Sequence, residues 1–125
     1  MNSKSMNYRE IIAKAHAAGM AAGNAARVEP LGHIVVSGGS SEPRHFYESH
    51  GVCGFAWVEV HPNRGAFAKA LKGYGFRPGY PKGLSNWVSE FGQEYDRKMA
   101  YARAYAKVLN EEVDGYNIYA NGRLD

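Results

Sequence analysis

Apolar residues recur at helical spacing through the first part of the chain, as in YREIIAKAHAAGMAAG. Asn7 stands three residues before Glu10, which is the spacing of a capping box. Together these features predict a helix over residues 7–26. Gly19 and Gly23 each cost about 1 kcal/mol relative to Ala in a helix. We therefore expect another element to approach this face closely, either the sheet or a second subunit.

Four segments have the composition of strands. In the strongest of them, VCGFAWVEV, both alternating sets of positions are apolar as far as Val58. This pattern predicts a central strand covered on both faces, with Cys53 as a small buried side chain. The four predicted strands are His33–Ser37, Val52–Val60, Leu84–Phe91 and Tyr116–Ala120.

Two further helices are predicted in the second half of the chain. Asn63 can cap a short helix over residues 64–72, with Gly73 as its stop. A longer helix with an apolar stripe begins at Gln93 or Glu94 and runs to about Glu112. The segment 37–51 has loop composition, and its length is typical of a mobile or functional loop.

The order of these elements favours an α+β fold in a single domain over residues 1–125. We expect about four strands in a mostly antiparallel sheet, with two or three helices packed on one face. A small α/β fold is the alternative, because the late helix between two strands could form a right-handed crossover.

Composition indicates where the protein resides and which cysteine-based sites it can form. No apolar run reaches the 18 residues of a membrane-spanning helix, and the N-terminus lacks the apolar core of a signal peptide. We expect a protein of the cytoplasm with no membrane partner. The single cysteine excludes an intrachain disulfide and a zinc site built on several cysteines of one chain.

The net charge of +3 is concentrated in one part of the chain. Residues 60–89 contain five Lys or Arg and no acid, whereas residues 1–59 sum to zero and residues 90–125 sum to −2. A local acid-free stretch attracts anions more strongly than a diffuse basic composition.

Within this basic stretch, cations alternate with aromatic rings and glycines, as in KGYGFRPGYPKG. Cations neutralise phosphate and rings stack on bases, so the segment is a candidate site for a nucleic acid or nucleotide. The alternative is that residues 72–83 merely connect two elements. The candidate ligand-binding residues are Arg64, Lys69, Lys72, Tyr74, Arg77, Tyr80 and Lys82.

No motif of an enzyme is present. The sequence has no metal-binding histidine pattern, no nucleophile motif and no phosphate-cradling glycine loop. We therefore predict a protein that is not an enzyme, with no catalytic residue, metal or cofactor. A histidine dyad of His50 and His61 acting on a phosphodiester is the alternative, and it needs both side chains at one ligand.

Three stretches, GVCGFAWVEV, WVSEFGQEYDRKMAYARAYAKVL and the ending NIYANGRLD, resemble a family of small orphan proteins of bacteriophages and prophages. The resemblance implies a phage accessory protein of the bacterial cytoplasm, of a kind that often acts against host defence systems. In a protein of this kind, the basic segment of residues 64–82 would engage nucleic acid or a nucleotide. The alternative is an inhibitor or structural protein that binds a host or phage protein, and self-association through the Gly/Ala helix face is a further expectation.

Overall fold

The computed structural model describes residues 7–26, 35–36, 44–45, 53–79 and 82–124. Three helices and six strands alternate along this part of the chain. In chain order they are α1 (Tyr8–Ala25), β1 (Val35–Val36), β2 (Arg44–His45), β3 (Gly54–His61), α2 (Ala66–Lys72), β4 (Arg77–Pro78), β5 (Leu84–Trp87), α3 (Tyr95–Glu112) and β6 (Asn117–Leu124).

Four strands form one sheet in the order β4-β5-β3-β6, and every neighbouring pair is antiparallel. The predicted α+β fold is confirmed, with the helices packed against this sheet. The α/β alternative is wrong as a fold class, because every neighbouring pair of strands is antiparallel. The crossover on which it rested is present, since β5 and β6 are both antiparallel to β3, are therefore parallel to each other, and are joined by α3. Strands β1 and β2 form a separate antiparallel pair.

Strand β3 is central, as predicted, and its side chains alternate between two environments. Every second residue is buried against the helices, and the residues between them are only half-buried. The expectation that both faces are fully covered is therefore wrong for one face. The buried set is Gly54, Ala56, Val58 and Val60, and the half-buried set is Phe55, Trp57, Glu59 and His61.

One apolar core lies between the helices and the inner face of the sheet. Ile12 of α1, Phe67 of α2 and Leu109 of α3 all belong to it, together with Val58 and Leu84 of the sheet. Each large apolar side chain buried in this way contributes about 1.5–3 kcal/mol. Burial on the inner face therefore contributes strongly to the stability of the sheet.

Aromatic rings cover the glycine face of α1. A Cβ added at Gly19 would lie 2.6 Å from the ring of Tyr101, and one added at Gly23 would lie 2.4 Å from the ring of Phe91. The close partner is therefore α3 and the turn before it, and not the sheet or a second subunit. The reason to expect self-association through this face is that Gly19 and Gly23 need a close partner, and Tyr101 and Phe91 already supply it.

The helix ends follow the sequence in part. Asn7 and Glu10 form the predicted capping box, and α2 ends at Gly73. However, α2 begins later than predicted, with Gly65 at the N-cap and no side-chain cap bond, so the capping role predicted for Asn63 is wrong.

Three strand predictions also need correction. Cys53 is exposed and not buried, because it precedes β3 and makes only an isolated bridge to Glu94. Strand β5 stops at Trp87, since the backbone leaves the strand region and reaches a positive φ at Phe91. Strand β6 extends to Leu124 because it pairs along the whole of β3.

Part of the predicted 37–51 loop is paired, since Arg44–His45 bonds to Val35–Val36. The rest of this segment, including His50, lies outside the described residues.

Replacing Gly19 with Ala tests the packing of α1 on α3. We expect the free energy of unfolding to fall by about 1–3 kcal/mol, although Ala favours the helix, because the methyl group would overlap the Tyr101 ring. Urea denaturation measures this, with the exposed Ala17→Gln as a control that changes stability by less than about 0.5 kcal/mol. An unchanged stability together with a smaller size by gel filtration would contradict this packing and restore the second-subunit expectation.

Candidate binding face and adjoining cleft

The side of the sheet turned away from the helices carries large and polar side chains, and we call it the outer face. Side chains directly opposite in an antiparallel pair lie on the same face, so the register identifies its members. They are Arg77 of β4, Ser85 and Trp87 of β5, Phe55, Trp57, Glu59 and His61 of β3, and Asn117, Tyr119, Asn121 and Arg123 of β6.

Three aromatic rings are grouped at one end of the outer face. Trp57 and Trp87 are opposite in the register and stack with ring centroids 4.5 Å apart and an interplanar angle of 17°. Phe55 meets Trp87 edge-on at 5.6 Å. Trp87 is 46% exposed, so this cluster presents ring surface to solvent.

Two cations lie against the same rings. The guanidinium carbon of Arg123 is 5.4 Å from the centre of the Phe55 ring and 5.8 Å from that of Trp87. Lys98 Nζ lies 5.6 Å from the Phe55 ring. Cation–π attraction at such distances fixes the cations beside the rings. The cluster thus combines stacking surface with positive charge.

Glu59 lies in the middle of the outer face and accepts hydrogen bonds from four side chains. Trp57 Nε1 donates at 2.8 Å, Tyr119 Oη at 2.7 Å and Asn121 Nδ2 at 3.1 Å, while His61 Nε2 lies 3.1 Å away. Partial burial would raise the pKa of this carboxyl group, but the four hydrogen bonds outweigh it and lower the pKa to about 2. Glu59 therefore stays ionised and holds its neighbours in place.

His61 connects the outer face to a neighbouring cleft. Its ring stacks on Tyr119, with centroids 5.9 Å apart and an interplanar angle of 6°. Gly83 makes room for the ring, because a Cβ at that position would lie 2.6 Å from His61 Nδ1. Gly83 also has a φ of +84°, a conformation that suits glycine.

The cleft has a volume of about 850 Å³ and lies where β3 ends. Three segments line it: His61 to Arg64, Lys82 with Gly83, and Gly115 to Asn117. The buried Oδ1 of Asn63 has no hydrogen-bond partner among the described residues. An unpartnered buried oxygen costs about 1–3 kcal/mol, and this one is closed off from the cleft by its burial.

The structure places the predicted site residues in different locations. Arg64 and Lys82 line the cleft, and Lys82 also lines a depression on the outer face beside Trp57 and Trp87. Arg77 belongs to the outer face, opposite Ser85 in the register.

The remaining four predicted residues are not brought together with these. Lys69 and Lys72 are exposed on α2, whose buried side faces the core. Tyr74 lines a cavity together with Trp87 of the outer face and with residues of α1 and α3, among them Ile12 and Tyr101. Tyr80 lies outside the described residues.

Sequence reasoning missed most of the outer face. Phe55, Trp57, Glu59, Tyr119 and Arg123 all lie outside the acid-free window of residues 60–89. The signal was available in the strand itself, where small apolar residues alternate with large or polar ones over positions 54–61. The apolar character of both sets concealed this alternation.

A metal site, a membrane-spanning helix and the histidine dyad are three further features to look for in the described residues. No group of three or more potential metal ligands forms among them, and none of their helices is long and apolar enough to cross a membrane. The alternative dyad of His50 and His61 cannot be placed, because His50 lies outside the described residues.

Comparisons with protein-family models, with curated proteins and with solved structures gave no match to this chain. The resemblance to phage orphan proteins therefore stays a prediction from the sequence.

Replacing Glu59 with Gln tests the hydrogen-bond network of the outer face. A pKa lowered from 4.5 to about 2 gives stability that is complete above about pH 4.5 and is lost as the pH falls towards 2. Because the side chain is 21% exposed, we expect this contribution to be of the order of 1–2 kcal/mol. Urea denaturation between pH 7 and pH 2.5 should show the wild type losing this increment and Glu59→Gln lacking it. Parallel pH profiles of the two proteins would contradict the network.

Proposed function

We propose that the protein binds single-stranded nucleic acid on its outer face. The observation that carries this proposal is the cluster of Phe55, Trp57 and Trp87 with Arg123 against the rings. Exposed rings on a rigid sheet stack on unpaired bases, and each such stack contributes about 1–3 kcal/mol. Because the rings belong to residues of β3 and β5, the sheet holds them in place without help from a ligand.

A second stacking position lies across the sheet. Tyr119 on β6 is 42% exposed, and strand β3 separates it from Trp87 on β5. Two strand spacings amount to roughly 10 Å, so the two rings can serve different bases. His61 backs the ring of Tyr119 and fixes its orientation. The outer face can therefore hold a single-stranded nucleic acid that runs across β5, β3 and β6.

The charges around the outer face suit a phosphate backbone. Arg77, Arg123 and Lys82 lie on it or at its margin, and Glu59 is the acidic side chain among its described members. Glu59 stays ionised and repels a phosphate, so the three cations must outweigh it. The balance of these four charges is +2, which favours an anionic ligand.

A single strand fits this surface better than a duplex does. Bases in a duplex are stacked on one another and cannot reach a ring on a flat sheet, whereas unpaired bases can. The biological setting follows from the resemblance alone: a phage accessory protein of the bacterial cytoplasm that acts on a nucleic-acid-targeting host defence. That setting remains a prediction, as does the alternative of a protein partner.

The two tryptophans of the chain, Trp57 and Trp87, both lie on the outer face, so intrinsic fluorescence reports on this site. We expect a 12-nucleotide single strand, as DNA or RNA, to quench this emission because bases stack on Trp87. Anisotropy of the labelled strand should show Trp87→Ala weakening binding about 10-fold. Tyr74→Ala, which removes an equally exposed ring that lines a cavity with Trp87 but lies outside the outer face, should weaken binding less than Trp87→Ala does.

A greater loss with Tyr74→Ala than with Trp87→Ala would move the site to the segment predicted from the sequence. Absence of any binding to DNA or RNA would overturn the proposal and leave the outer face to a protein partner.

The dependence on salt tests the cationic contribution. With about three phosphates neutralised, log affinity should fall against log salt with a slope of about −2, since each contact to a single strand contributes about 0.7. Arg123→Gln should reduce the slope by about 0.7, whereas Lys69→Gln on α2 should leave it unchanged. The opposite ranking of these two variants would contradict binding on the outer face.

A further inference from the structure

We propose that the cleft at the end of β3 binds a phosphate monoester, as found at the end of a nucleic-acid strand. This inference rests on the proposed function, because it assigns the cleft to the terminus of a strand whose bases lie on the outer face. The aromatic cluster alone does not favour a phosphate monoester over another phosphate.

The cleft is continuous with the outer face through two residues. Lys82 lines the cleft and also the depression beside Trp57 and Trp87. His61 lines the cleft, while its ring stacks on Tyr119 of the outer face. A nucleic acid with a base on Tyr119 therefore lies beside one wall of the cleft, because His61 contacts Tyr119 and lines the cleft.

The charges lining the cleft match a monoester better than a diester. Arg64 and Lys82 supply two positive charges, and no Asp or Glu lines the cleft among the described residues. A phosphate monoester carries −1.5 to −2 near neutral pH, whereas an internal diester carries −1. Glu59 bonds to His61 on the outer-face side, so its charge faces the ring and not the cleft lining.

The polar groups of the cleft also suit a terminal nucleotide. Asn117 lies on the lining with an exposed side chain, whereas the Oδ1 of Asn63 is closed off from the cleft. The Asn117 amide can accept an N–H or O–H and donate its own N–H, and the base and sugar of the last nucleotide provide both partners. His61 presents Nδ1 beside Gly83, because its Nε2 is engaged with Glu59.

The test compares one 10-nucleotide sequence with a 5′-phosphate, a 3′-phosphate or hydroxyl groups at both ends. We expect one phosphorylated form to bind about 10-fold more tightly than the hydroxyl form. Arg64→Gln should abolish this preference while changing the affinity for the hydroxyl form less than 2-fold. Lys72→Gln, which removes a charge on α2, should leave the preference intact.

Equal affinities for the three ends, or a preference that survives Arg64→Gln, would overturn the inference and leave the proposed function standing. If none of the strands binds, the proposed function fails, and a nucleoside monophosphate then tests the cleft by itself. Shifts of the backbone amide signals of Asn63, Arg64 and Gly83 with the monophosphate, and not with the nucleoside, would support the cleft as a monoester site. Absence of such shifts would overturn it.

Discussion

Strand β3 buries one of its faces against the helices, and this burial determines where the side chains of the sheet lie. Ala56, Val58 and Val60 point into the core, and their small size lets α3 pack close to the sheet. Because side chains alternate along a strand, this inward set forces Phe55, Trp57, Glu59 and His61 onto the other side. The core thus decides which residues form the candidate binding face. A shift of one residue in register would exchange the two sets and destroy both.

The outer face is held together by hydrogen bonds and ring contacts that do not need a ligand. Glu59 fixes Trp57, Tyr119 and Asn121, and the tryptophan pair stacks across β3 and β5. Side chains fixed in advance lose less conformational freedom on binding, which preserves affinity. The ionised carboxylate reduces the positive potential of the face, yet it sets the positions of the groups that would contact bases.

The sequence predicted the helices well and the site only in part. The capping box at Asn7 and the stop at Gly73 are local signals, and both are confirmed because neighbouring residues decide them. The partner of Gly19 could not be predicted, since Tyr101 lies far away in the chain. Likewise, the acid-free residues 60–89 identified Arg77 and Lys82. The rings that accompany these cations come from strands that pair across long sequence separations.

The proposed function requires bases to stack on the aromatic cluster of the outer face. Its most direct test is an NMR titration of the protein with a single-stranded oligonucleotide, since the chain has only two indole N–H signals, those of Trp57 and Trp87. Stacking on the outer face predicts that the Trp87 signal and the Arg123 amide shift in a saturable manner, while the amides of α1 do not. Shifts confined to Lys69, Lys72 and Tyr74, or no shifts at all, would contradict it.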